Sequence, residues 1–171
     1  MSSIKDRCLA DMQAAWRETE AMLATIPPER LTEPGVTEDW SVRDLLAHIA
    51  GYERYTAEAI LGDLTERKPT PRELYGRDES PTPEDEANDD TTNAWVVAYW
   101  RTRPVEETLS EYRWAHQRLV EAVQACPEEA FEDPSRLPVI KGKPLEQVIS
   151  DQCQGHHAEH LAQIRPWWGA A

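Results

Sequence analysis

His156 and His160 stand four residues apart in the stretch QVISDQCQGHHAEHLAQIRPWW, residues 147–168, which reads as helix. On a helix that spacing leaves them only about 40° apart, one above the other on one face. Leu145 and Ile149 share the face, so the two imidazoles extend an apolar stripe that should point into a core. Neutral imidazole is a common metal ligand, and i,i+4 is a common ligand spacing. His48, on the apolar face of an earlier helix, can supply a third nitrogen. Three protein ligands leave a position for water or substrate, the catalytic rather than the structural pattern. The ion expected is a divalent transition metal, and zinc, nickel and iron all suit imidazole. Such an ion lowers the pKa of a bound water toward neutrality, holds a thiolate, or polarises a carbonyl. Glu159, Tyr52 and Tyr55 are candidates for proton transfer or for orienting the ligands.

The bland alternative is a set of core histidines satisfied by backbone carbonyls or by Tyr52 and Tyr55, and this is the expectation for His116. His157 turns about 100° from His156 and is expected to be exposed, while remaining a substitute ligand. Residues 156–160, HHAEH, also fit H-x-x-E-H, in which two histidines bind zinc and Glu159 would be the general base. That chemistry needs a further acidic ligand downstream. LAQIRPWWGAA follows, without Asp or Glu, so a protease of that class is not expected. Cys153 lies on the same helix, but a buried packing cysteine is expected rather than a nucleophile.

The elements that must position these residues are helices. Residues 3–26 carry apolar positions at steps of three and four, and Pro27-Pro28 ends them. Ser41 with Asp44 resembles a capping box and opens a second helix, expected to reach Leu61 with Gly62 as its stop. Leu45, His48, Tyr52, Tyr55 and Ala59 share its inner face, and Gly51 allows close approach of a neighbour. Residues 62–90 are an acidic, proline-containing connection, expected to be a solvated surface segment or a flap over a site mouth. A short helix at 89–101 carries Trp95, Tyr99 and Trp100. Another runs from Pro104 to Ala125, and the last begins at Pro144. No sustained two-residue alternation appears. The expectation is one all-α domain over 1–171, an antiparallel four-helix bundle with a long crossover connection.

Composition excludes several roles. The chain has 171 residues, 40% of them hydrophobic, enough for a sizeable core. Its net charge of −14 opposes binding to nucleic acid or to anionic membranes. No apolar run is long enough to span a bilayer, and MSSIKDRCLADMQ has no signal-peptide core, so a cytoplasmic protein is expected. Three widely spaced cysteines fit reduced, buried thiols.

WSVRDLLAHIAGYERY, residues 40–55, resembles the helix-two signature of the DinB-like superfamily of bacterial four-helix bundles. Trp95, Arg103-Pro104, the Gly142–Leu145 segment GKPL and the final GHHAEHLAQIRPWW resemble one branch, the DfsB/ClbS family. The resemblance implies a divalent metal held by one His on helix two and an HxxxH pair on helix four, which fall on His48, His156 and His160. It further implies an enzyme acting on a reactive small molecule in detoxification or self-protection, either a hydrolase or a thiol S-transferase. The alternatives are a binding or sequestering protein, with a homodimer possible, and a metal-free hydrolase of the ClbS kind. No residue pattern marks a thiol-cofactor site.

Overall fold

Local signals start each long helix. In the computed structural model, which describes residues 3–138 and 142–169, Ser3 and Asp6 form a capping box at the head of α1 (Ile4–Leu23). Ser41 and Asp44 do the same for α2 (Val42–Leu64). Such caps satisfy backbone donors that the first turn otherwise leaves unpaired. The helix α2 runs past Gly62 instead of stopping there. A Cβ on Gly62 would lie 2.7 Å from the Arg67 carbonyl oxygen and 2.8 Å from the Pro69 ring. The glycine thus admits the returning chain against the helix and does not end it.

The connection after α2 carries structure of its own. Thr70 caps a short helix, α3 (Pro71–Tyr75), which packs on α2. A 3-10 turn at Asp85–Ala87 leads into α4 (Asp89–Arg101). Arg54 of α2 ties this region down through the Glu73 carbonyl, and Arg77 lies over the Trp95 ring. Val96 of α4 approaches Gly51, where a Cβ would meet it at 3.2 Å. Pro104 then precedes α5 (Val105–Ala125), followed by the single turn α6 (Glu129–Glu132).

The C-terminal run is not one regular helix. It starts as α7 (Leu145–Ile149), widens into a π segment at Ser150–Gln154, and resumes as α8 (Gly155–Gly169). The described chain is 74% helical, with no strand among the described residues. The ends of the expected 1–171 span lie outside the described residues. No helix is long and apolar enough to cross a membrane.

Packing joins α2 to α5 along most of their lengths, with α1 and the C-terminal run closing over them. Two apolar clusters result. One gathers Met12, Ile60, Leu119, Val123, Ile149 and Cys153; the other gathers Leu23, Leu45, Ile49, Tyr112 and Ile164. Each fully buried aliphatic side chain contributes about 1.5–3 kcal/mol. Between the clusters lies a buried polar layer. Glu53 falls between Ile49 and Ala57 on α2, His116 between Tyr112 and Leu119 on α5, and His157 between Cys153 and Ile164 on the last run.

Candidate metal centre

His48 sits one helical turn after Asp44, and the first turn of α2 is held firmly. The Asp44 carboxylate accepts from the Ser41 amide at 2.9 Å and from the Ser41 hydroxyl at 2.8 Å. Arg101, at the end of α4, donates to both its oxygens at 3.2 and 3.1 Å. Burial pushes the Asp44 carboxyl up, but Arg101 and Ser41 outweigh it and hold the pKa below its ordinary value. The helix α4 is thereby strapped to the turn that aims His48.

The two partner histidines depend on the π segment. At α pitch each step of four residues drifts about 40° around a helix. A π turn, with i→i+5 hydrogen bonds, takes more residues and returns that drift. Leu145, Ile149, Cys153, His157, Leu161 and Ile164 therefore form one inner stripe, none more than 1% exposed. This corrects the expected register, in which His156 and His160 continue the line of Leu145 and Ile149. It also corrects the expectation for His157, which is 0% exposed instead of solvated. Gly155 lets the wide turn close, since a Cβ there would lie 3.0 Å from the Ser150 carbonyl oxygen.

His156 and His160 flank the inner stripe and meet His48. One nitrogen from each ring lies within 4.8 Å of the others, and the Nε2 atoms of His48 and His156 are 2.7 Å apart. The Gln163 side-chain oxygen lies 2.8 Å from His160 Nδ1. An amide oxygen only accepts, so the proton is on Nδ1 and His160 Nε2 carries a lone pair. That Nε2 is buried without a hydrogen-bond partner. Burial drives the pKa of His48 and of His156 down to about 3; repulsion from His160 adds to it at His48, and repulsion from His48, His160 and His157 adds to it at His156. Burial likewise lowers His160. All three rings are neutral at physiological pH, the form in which imidazole binds a metal. The donor set fits a divalent transition metal on these grounds.

Beside the rings opens a cavity of about 560 Å³. It is lined by His48, His160 and Gln163, by Trp40, and by Asp90, Asn93 and Ala94 of α4. Glu38, Asp90 and Glu159 are its charged lining, with no Lys or Arg among the described residues that line it. Of the 62–90 connection, Asp90, in the first turn of α4, lines this mouth, and the residues before it contribute nothing to the lining.

Of the other candidates, Glu159 is exposed and lies on the cavity lining. Tyr52 packs edge-on against His48 at 4.9 Å and His156 at 5.3 Å. Burial, and secondarily Asp89, push its hydroxyl pKa up, so it remains a proton donor. Tyr55 turns away: it is 42% exposed and packs on Tyr75 at 5.8 Å. Three residues on a helix rotate by about 300°, which carries Tyr55 off the inner face.

A second polar cluster lies deeper. Glu53 Oε1 is 3.3 Å from His116 Nδ1 and 3.2 Å from His157 Nε2. Burial pushes the Glu53 carboxyl up, yet its interactions with His116 and His157 outweigh that and bring the pKa to about 2. His116 is thus paired with a carboxylate and not, as expected, with backbone carbonyls or with Tyr52 and Tyr55. Its ring stacks on Trp16 at 4.2 Å. Cys153 stands beside Glu53, its thiol pKa pushed far up by burial and by that carboxylate. It is no nucleophile, since the thiolate is the reactive form. Glu53 is the residue that sequence reasoning missed. The available signal is its position in the stripe Ile49, Glu53, Ala57, Ile60, where a carboxylate replaces an apolar side chain.

The chain matches the family model of the DinB superfamily over residues 11–164. It belongs to the DinB superfamily. DinB-like proteins are typically metal-binding. No curated protein and no solved structure matches the chain.

Proposed function

We propose that this DinB-superfamily chain is a metal-dependent hydrolase of the DfsB/ClbS branch, an antiparallel four-helix bundle with a long crossover. Its substrate is a reactive small molecule, neutral or cationic. The observation that carries the reading is the trio of neutral imidazoles beside an open cavity, His48 and His160 buried and His156 half-buried, with the Nε2 lone pair of His160 unpartnered. His48, His156 and His160 would hold the ion, whether zinc, nickel or iron. A divalent metal there supplies a Lewis acid and lowers the pKa of a water.

The chain's own groups supply the rest. Gln163 fixes the His160 tautomer. Trp40 packs edge-on against His48 at 5.6 Å and lines the cavity beside it. Glu159 places a carboxylate at the cavity, where it can accept a proton from an attacking water. Tyr52 keeps a phenolic proton near His48 and His156. The acidic lining favours hydrolysis over thiol transfer, because it repels an incoming thiolate and attracts cations. Tyr55, turned outward, has no part in this reading.

Elemental analysis of the purified chain beside the His156→Ala/His160→Ala variant tests it. The variant should carry one transition metal fewer per chain and lose turnover of activated esters and amides. Equal metal content in the two proteins would sink the reading. Undiminished turnover after chelation would instead favour a metal-free hydrolase acting through Glu159.

A further inference from the structure

We propose that the inner cluster is a second, closed metal site, in which Glu53, His116, Cys153 and His157 hold one zinc-like divalent ion with tetrahedral geometry. It is independent of the reading of the His48 centre. Its four donor atoms come from α2, α5, the π segment and α8, and all lie within 4.8 Å of one another. Every one of the four residues is buried. A carboxylate, two imidazoles and a thiol form a donor set suited to zinc, and four protein ligands with no open position make a structural site.

The distances fit a shared ion. Charge-assisted N–H···O bonds are about 2.7–2.9 Å long. The two contacts of Glu53 Oε1 are 3.3 and 3.2 Å, both longer. Ligands about 2.0–2.1 Å from a tetrahedral centre are separated by about 3.3 Å, the spacing seen.

Proton accounting points the same way. The Thr19 hydroxyl lies 3.0 Å from the Ala15 carbonyl and 2.8 Å from His157 Nδ1. Its single proton serves one of them. If it goes to Ala15, His157 Nδ1 carries a proton and donates to Thr19. A neutral His157 then has its lone pair on Nε2, facing Glu53, where a metal takes it. Such an outer hydrogen bond to a ligating imidazole is the usual partner of a metal centre. An imidazolium paired with Glu53 satisfies the same protons but leaves Glu53 Oε2 without a partner. Binding replaces the Cys153 S–H bond by a metal–sulfur bond and releases one proton to solvent, with no change of oxidation state.

Expression in cobalt-supplemented minimal medium supplies the ion while the chain folds. The His48 centre contains no sulfur, so a thiolate-to-cobalt charge-transfer band in the near ultraviolet reports the inner site alone. The band should appear in the parent and in His156→Ala/His160→Ala, and vanish in Cys153→Ser. A parent without the band, or a band that survives Cys153→Ser, overturns the proposal. Where Cys153→Ser does not fold, X-ray absorption of the zinc-loaded parent decides. A sulfur neighbour at about 2.3 Å supports the site, and a shell of nitrogen and oxygen alone overturns it.

Discussion

Gln163 touches no substrate in the proposed chemistry, yet it governs one ligand. Its side-chain oxygen holds the proton on His160 Nδ1 and leaves Nε2 free. Gln163→Leu removes that acceptor and lets the ring turn or change tautomer. Loss of such a partner typically weakens metal affinity about 10–100-fold. Competition with a graded series of chelators should show this drop, while thermal unfolding of the metal-free protein stays within about 0.5 kcal/mol of the parent, because Gln163 is only half-buried. At this scale the sequence was partly legible. The spacing of His156 and His160 and the apolar neighbours of His48 single out residues that the fold does bring together. Glu53 was hidden because a lone Glu on a helix ordinarily reads as a wet-face charge. His157 was hidden because its direction depends on the backbone path before it.

The long helices announce themselves through caps, prolines and periodicity, and the capping box at Ser41 and Asp44 is present as the spacing suggests. The π segment had no such signal. SDQCQ has no residue that demands a wide turn; the turn arises because steps of four must stay on the buried face. Gly62 shows the same limit from the other side. Helix propensity says that Gly62→Ala in α2 stabilises by about 1 kcal/mol. Contact with backbone at 2.7 Å says the reverse. We expect destabilisation of about 1–3 kcal/mol, the range for overpacking a close contact, read from urea unfolding midpoints. A gain in stability would show that the Arg67–Pro69 segment yields freely. The Asp44–Arg101 strap gives a further test. The folded pKa of Asp44 is depressed, so its contribution is complete above the unfolded value of about 3.9 and is lost as pH falls through the folded value. Asp44→Asn should therefore cost about 1–2 kcal/mol at pH 7. The gap between parent and variant should close progressively below about pH 4. A gap independent of pH would mean that the carboxylate charge has no part in holding Arg101.

Across the whole molecule the net charge of −14 works against compactness. Exposed charges are largely screened beyond the Debye length, about 30 Å at 0.01 M salt and about 8 Å at 0.15 M. Raising sodium chloride over that range should raise the unfolding temperature by a few degrees. A fall would show that attractive pairs such as Arg54–Glu111 and Arg118–Glu58 outweigh the general repulsion. The cavity is divided between two sources. Its histidines come from α2 and α8, but Asp90, Asn93 and Ala94 come from α4. That division separates what must be inherited unchanged from what is free to drift. A lineage can exchange the α4 wall one residue at a time while every imidazole stays in place. Under the proposed chemistry, new substrates would be reached through α4 before any histidine has to change.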